Sequence, residues 1–133
     1  MKDPNNSCIF CNIKKEELIF ENKLAYASSD SYPVSKFHIL IVPRRHVKNY
    51  FQLSPEEINA CNELIFKTKE NILKKDSTVK GFNLGTNAGK VAGQSIMHCH
   101  IHLIPRRKGD VENPQGGVRG VIPLKQHYLR KSK

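Results

Sequence analysis

The sequence predicts an α+β fold, with one long helix set among about five short strands. Three observations carry this. Residues 54–75, "SPEEINACNELIFKTKENILKK", place apolar side chains at the helical period. The other apolar stretches are short, rich in β-branched and aromatic residues, and bounded by turn formers. The run "MHCHIHLIP", residues 97–105, alternates apolar and imidazole side chains with period two from Met97 to Leu103.

In chain order, residues 1–7 read as a disordered lead. "ELIFENKLAYASSD" reads as two strands joined by a turn at Glu21-Asn22-Lys23. "KFHILIVPRRH" is a strand stopped by Pro43, with His38, Leu40 and Val42 on one face and Phe37, Ile39 and Ile41 on the other. Ser54 caps the helix, Pro55 fits its first position and Glu57 completes a capping box. Ile58, Cys61, Ile65, Thr68 and Ile72 form its buried stripe, widened by Leu64. "GFNLGTN" is a short strand, "AGKVAGQ" a glycine-containing loop, and "SIMHCHIHLIP" the last strand. Met97, Cys99, Ile101 and Leu103 are expected to pack inward from it. Cys61 is likewise expected in the core. Neither a repeat nor a break in composition divides the chain, so residues 8–124 are expected to form one domain, followed by a basic tail, 125–133.

The 133 residues suffice for one core. They contain no apolar run of about 18 residues, so no membrane span is expected. The segment "MKDPNNSCIF" lacks the apolar run of a secretory signal. A cytoplasmic location follows, in which four cysteines read as thiols or metal ligands rather than disulfides. The formal charge is +10, and residues 105–133 hold eight Lys/Arg against two Asp/Glu. Such a surface favours anionic partners. Nucleic acid is not expected among them, because no aromatic-interleaved basic motif is present. His127, in the tail, is expected to be solvated.

His98, His100 and His102 would project from one strand face, about 6.5–7 Å apart. Buried imidazoles need polar partners, so a row of three points to chemistry. Two readings fit. Three histidines can hold a catalytic zinc with an open water position. Alternatively, one is a nucleophile whose neighbours fix its tautomer. Asn87, Gln94 and Ser95 and the glycines of "NAGKVAGQS" supply amide, hydroxyl and backbone donors suited to phosphate. No carboxylate lies near the row in sequence to serve as a metallohydrolase base.

"HCHIHLI" resembles the signature of the histidine triad family of nucleotide hydrolases and transferases. "CIFCNI", "FHILIVPRRH" and "NAGKVAGQSIMHCHIHLIPR" are similar to its successive blocks. The resemblance implies an antiparallel sheet, a homodimer, and nucleotidyl chemistry at an α-phosphate through a covalent intermediate on His100. His98 would supply the carbonyl that orients His100. His102 would contact phosphate and leaving group, with His38 behind the triad. Asp30 would hold the ribose hydroxyls, Phe10 and Ile13 would wall the base pocket of a purine nucleotide, and Asn87, Gln94 and Ser95 would meet the phosphate. Ser28 stands where many members carry an aromatic wall residue. The tail "GDVENPQGGVRGVIP" resembles that of bacterial members called dinucleoside polyphosphate hydrolases, and Arg119 could reach a distal phosphate.

Cys8 and Cys11 have the C-x₂-C spacing of half a four-ligand zinc site. By resemblance to bacterial members, His46 and His98 complete it, and the zinc would be structural. The alternative function is a nucleotide-binding, zinc-stabilised interaction module with little turnover.

Overall fold

The computed structural model describes residues 6–130; residues 1–5 of the expected lead and 131–133 of the expected tail lie outside them. Five strands form one antiparallel sheet: β1 (Leu18–Glu21), β2 (Ala25–Ser29), β3 (Ile39–Pro43), β4 (Val79–Gly85) and β5 (Ile101–Arg107), in spatial order β1-β2-β3-β5-β4. One helix, α1 (Pro55–Lys75), packs on the sheet. Among the described residues, no helix is long and apolar enough to cross a membrane.

The helix begins where its chemistry predicts. Glu57 N–H donates to Ser54 Oγ (3.1 Å), and Ser54 N–H donates to Glu57 Oε1 (2.9 Å). Arg45 then clamps the same carboxylate through Nε and Nη2 (3.0 and 2.7 Å). These bonds hold the Glu57 carboxyl down at about 2. They also tie the segment after β3 to the start of α1.

Strand alternation sorts two packed faces. Ala25, Ala27, Ile39, Ile41, Ile101 and Leu103 meet Cys61, Leu64, Ile65 and Ile72 of α1. On the opposite face, Tyr26, Leu40 and Val42 pack with Phe10 from the N-terminal segment. Cross-strand register places Ser28 opposite Leu40, and Leu40 opposite His102, so all three share this second face.

The last strand is shorter than expected. It starts at Ile101, so only His102 of the three histidines lies in the ladder. Residues 95–98 lie beyond the end of β3 at Pro43, and the ladder has already ended at Ile101. The residues between bond elsewhere: Cys99 N–H donates to Val47 O (2.8 Å), and Thr86 Oγ1 donates to His100 O (2.7 Å). Cys99 is buried with Val47 and Leu53 in a separate small cluster, and Met97 is exposed rather than packed inward. The third strand likewise spans Ile39–Pro43 only. Phe37 sits just before it at φ 72°, yet packs on the same core as Ile39 and Ile41, as expected.

Candidate functional site

A cavity of about 580 Å³ opens on the second face of the sheet, a volume that suits a small organic ligand. Phe10 and Ile13 line one part of it, together with Ser28 and Leu40. His100, His102, Asn87, Ser95 and Asp30 line another. The structure therefore brings together eight of the residues that the sequence reading places at the site, with Leu40 beside them.

His100 is oriented by backbone. Its Nδ1–H donates to the carbonyl of His98 (2.8 Å), which leaves Nε2 as the nitrogen outside that bond. Its ring packs against Phe10 (centroids 4.9 Å apart) and His102 (5.3 Å).

His102 is oriented by a chain of bonds that begins outside the cavity. Val34 N–H donates to His38 Nδ1 (3.1 Å), so the His38 proton sits on Nε2. That Nε2 lies 2.9 Å from His102 Nδ1 and 3.4 Å from Asp30 Oδ2. With Nδ1 as acceptor, the His102 proton is on Nε2, the nitrogen left to donate. Burial is the largest influence on both rings and pulls each below its usual value; Asp30 opposes this in part. Asp30 is itself held by accepting from Tyr32 N–H (2.8 Å). This three-residue arrangement was not legible in the sequence, since it depends on the β2–β3–β5 register.

Gln94 is placed differently from the expectation of a phosphate contact. It is buried, its Nε2 donates to the carbonyls of Lys48 (2.5 Å) and Ile96 (3.0 Å), and its Oε1 accepts from Gly89 N–H (2.9 Å). It braces the loop that presents Asn87 and Ser95. That loop turns at Gly89 and Gly93, with φ of 100° and 92°; an added Cβ at either would meet nothing within 4 Å, so backbone conformation is what calls for glycine. Arg119 is likewise remote from the cavity. Its Nε donates to Gln126 O (3.2 Å) and its guanidinium lies over the Tyr128 ring. His127 is exposed, as expected, though its Nε2 bonds Asn113 O (2.9 Å).

Beside the cavity, Cys8, Cys11, His46 and His98 form a four-residue cluster whose ligand atoms all lie within 4.8 Å of one another. The sulfur–nitrogen separations are 3.2, 3.4 and 3.5 Å, and His46 Nδ1 is 3.1 Å from His98 Nδ1. Tetrahedral zinc bonds near 2.3 Å to sulfur and 2.0–2.1 Å to nitrogen would require edges of about 3.5 Å and about 3.4 Å. The donor set therefore fits such a metal. His98 is also pre-set for it: its Nε2–H donates to Pro43 O (2.8 Å), turning the Nδ1 lone pair toward the cysteines. Burial pushes the Cys11 thiol up and the His98 imidazole down. Phe10 lies between the two cysteines in sequence, and Tyr26 OH donates to its carbonyl (2.6 Å). Nothing in the sequence foretold that bond.

Comparison with known proteins fits this geometry. The HIT domain family matches residues 12–109. An uncharacterized HIT-like protein of Methanocaldococcus jannaschii is 38% identical over 111 residues, covering 79% of this chain and 83% of that one. The adenosine 5'-monophosphoramidase HNT1 of Saccharomyces cerevisiae is 35% identical over 105 residues, covering 76% and 63%. The structure of a zinc-bound histidine triad family protein from Mycobacterium smegmatis superposes with a TM-score of 0.71 at 28% identity, covering 78% of each chain.

Proposed function

Because the chain belongs to the histidine triad (HIT) family, we propose that it is a nucleotidyl hydrolase or transferase. It would cleave at the α-phosphate of purine nucleotide conjugates of the phosphoramidate or dinucleoside polyphosphate type. One observation carries the reading: the His98 carbonyl engages His100 Nδ1, so Nε2 is the nitrogen left for phosphorus on a residue that lines a cavity of nucleotide size. Neutral imidazole with one nitrogen engaged as donor is the form competent for nucleophilic attack. The yeast phosphoramidase supports the bond type.

In this reading His100 Nε2 attacks the α-phosphorus and the bond to the leaving group breaks. The leaving group departs with the bonding pair and a proton passed from solvent through His102. Water then cleaves the phosphorus–nitrogen bond, releasing the nucleoside monophosphate and restoring His100. His102 Nε2–H, Asn87 and Ser95 stabilise charge on the phosphate oxygens. Asp30 accepts from the ribose hydroxyls, while Phe10 and Ile13 enclose the base. Gln94 acts by holding the loop.

Cys8, Cys11, His46 and His98 would hold zinc, which would pin the N-terminal segment to the residues preceding β5 and take no part in bond cleavage. We read the chain as cytoplasmic, where reduced thiols persist. We also read it as a homodimer; the seven-residue β4 is a sheet edge, and Phe66 is exposed on α1.

An acid-quenched reaction with an adenosine phosphoramidate labelled at phosphorus tests the proposal. Label retained on denatured protein is expected. Tight nucleotide binding with neither label nor turnover would instead identify a binding module.

A further inference from the structure

Ser28 occupies an unusual place. It is 1% exposed, faces the cavity, and is flanked across the sheet by Leu18 on one side and Leu40 on the other. No described residue hydrogen-bonds its hydroxyl. Its small side chain leaves room on this wall and offers a hydroxyl to whatever fills the cavity. Ser28 also lies in register with His102, two strands away, a separation of about 9.6 Å. With phosphate at His100 and His102, that is where a nucleobase would end.

Two charged groups come from the segment leading into Leu18, the residue paired with Ser28. Lys14 and Glu17 both line the cavity, and Glu17 N–H donates to Lys14 O (2.9 Å), so one tight turn presents both side chains. Among the described residues, neither is in an ion pair. The second face thus carries a donor–acceptor hydroxyl, a carboxylate and an ammonium where an apolar wall would be indifferent to the base.

We propose that Ser28, Glu17 and Lys14 read the polar edge of the base and make this pocket select guanine over adenine. Guanine presents two adjacent donors, N1–H and the 2-amino group, which a carboxylate accepts as a bidentate pair. Its O6 accepts from an ammonium or a hydroxyl. Adenine offers one donor, the 6-amino group, next to the N1 lone pair, which a carboxylate repels. Inosine lacks the 2-amino group and falls between them.

The inference rests on the reading of the cavity as a nucleotide site. Calorimetric titration of the full chain with GMP, IMP and AMP tests it, using wild type, Ser28→Ala and Glu17→Gln, each checked for a cooperative melt. Wild type is expected to bind GMP about tenfold or more tighter than AMP, as one charge-assisted bond allows. Glu17→Gln should close the gap between GMP and IMP, and Ser28→Ala should weaken GMP several-fold. If Ser28→Ala does not fold, the Glu17→Gln comparison decides alone. Equal affinities for all three nucleotides in wild type, or a gap that Glu17→Gln leaves intact, overturns the inference and spares the proposed function. Folded wild type that binds none of them overturns both.

Discussion

His38 Nε2 stands 2.9 Å from His102 Nδ1, and the Val34 N–H bonded to His38 Nδ1 fixes the direction of that contact. His38 does not line the cavity. It acts by keeping the His102 proton on the nitrogen free to donate. His38→Ala is therefore expected to lower kcat by about 10- to 100-fold, the loss typical of a partner that orients a ligand or base, with little change in nucleotide affinity. Steady-state kinetics beside direct binding checks this; a large loss of affinity with kcat intact would contradict it.

The same two rings make stability depend on pH. Burial lowers the folded pKa of His38 and His102 below the ordinary value of about 6.5. Asp30, which faces both, offsets part of this. Between the folded and unfolded values the unfolded chain binds more protons, so stability rises with pH. Stability is complete above about pH 6.5 and is lost as pH falls below it toward the folded values. Melting of metal-free protein from pH 7.5 to 5 is expected to show falling Tm, with a shallower slope in His38→Gln. A flat profile would show that the rings are not held neutral.

His100→Ala or His100→Asn is expected to abolish labelled protein and reduce kcat by several orders of magnitude, while nucleotide still binds. The ring is held by one backbone carbonyl and packed by Phe10, so its loss leaves the fold in place. Label retained by either variant would remove His100 from the nucleophile's role.

The helix and the places of the strands along the chain were legible because each rests on local chemistry: the Ser54–Glu57 box, the stripe from Cys61 to Ile72, and the break at Pro43. The triad's geometry was legible only in part: the family resemblance gave His98 to the cysteine cluster and its carbonyl to His100, but not where the strand begins. Alternation alone suggests one continuous strand face, yet His98 turns to a metal cluster, His100 bonds back to His98, and only His102 is in the ladder. Beyond Pro43 the chain offers His98 no strand to pair with, and the His100 carbonyl is taken by Thr86 Oγ1. The sequence likewise shows Gln94 as a polar residue near phosphate-binding positions. Its inward turn depends on the Lys48 carbonyl, 46 residues away.

Thr68 is a defect in an otherwise satisfied core. It is 1% exposed on α1, and its Oγ1 has no hydrogen-bond partner among the described residues. Valine keeps its shape and removes the stranded hydroxyl. Thr68→Val is expected to raise unfolding free energy by about 1 kcal/mol, the lower part of the range for an unsatisfied buried group. Urea denaturation measures this; a loss of stability would mean the hydroxyl has a partner in solution.

Removal of metal separates the two readings of the histidine row. A catalytic metal held by His98, His100 and His102 would make turnover vanish on chelation and return on metal addition. The geometry opposes that arrangement: the His98 Nδ1 faces Cys8, Cys11 and His46, while His100 Nδ1 is occupied by a carbonyl. Metal at the cysteine cluster instead fixes the segment carrying Phe10, whose ring packs on both His98 and His100. Protein purified without chelator is expected to hold about one zinc per chain. Chelation should lower Tm, because the folded state loses a ligand that the unfolded chain does not hold. It should also raise KM as the Phe10 wall loosens, while kcat persists in the folded fraction. Metal analysis, Tm and kinetics on one chelated sample decide the matter: loss of kcat with Tm unchanged would assign the metal to catalysis.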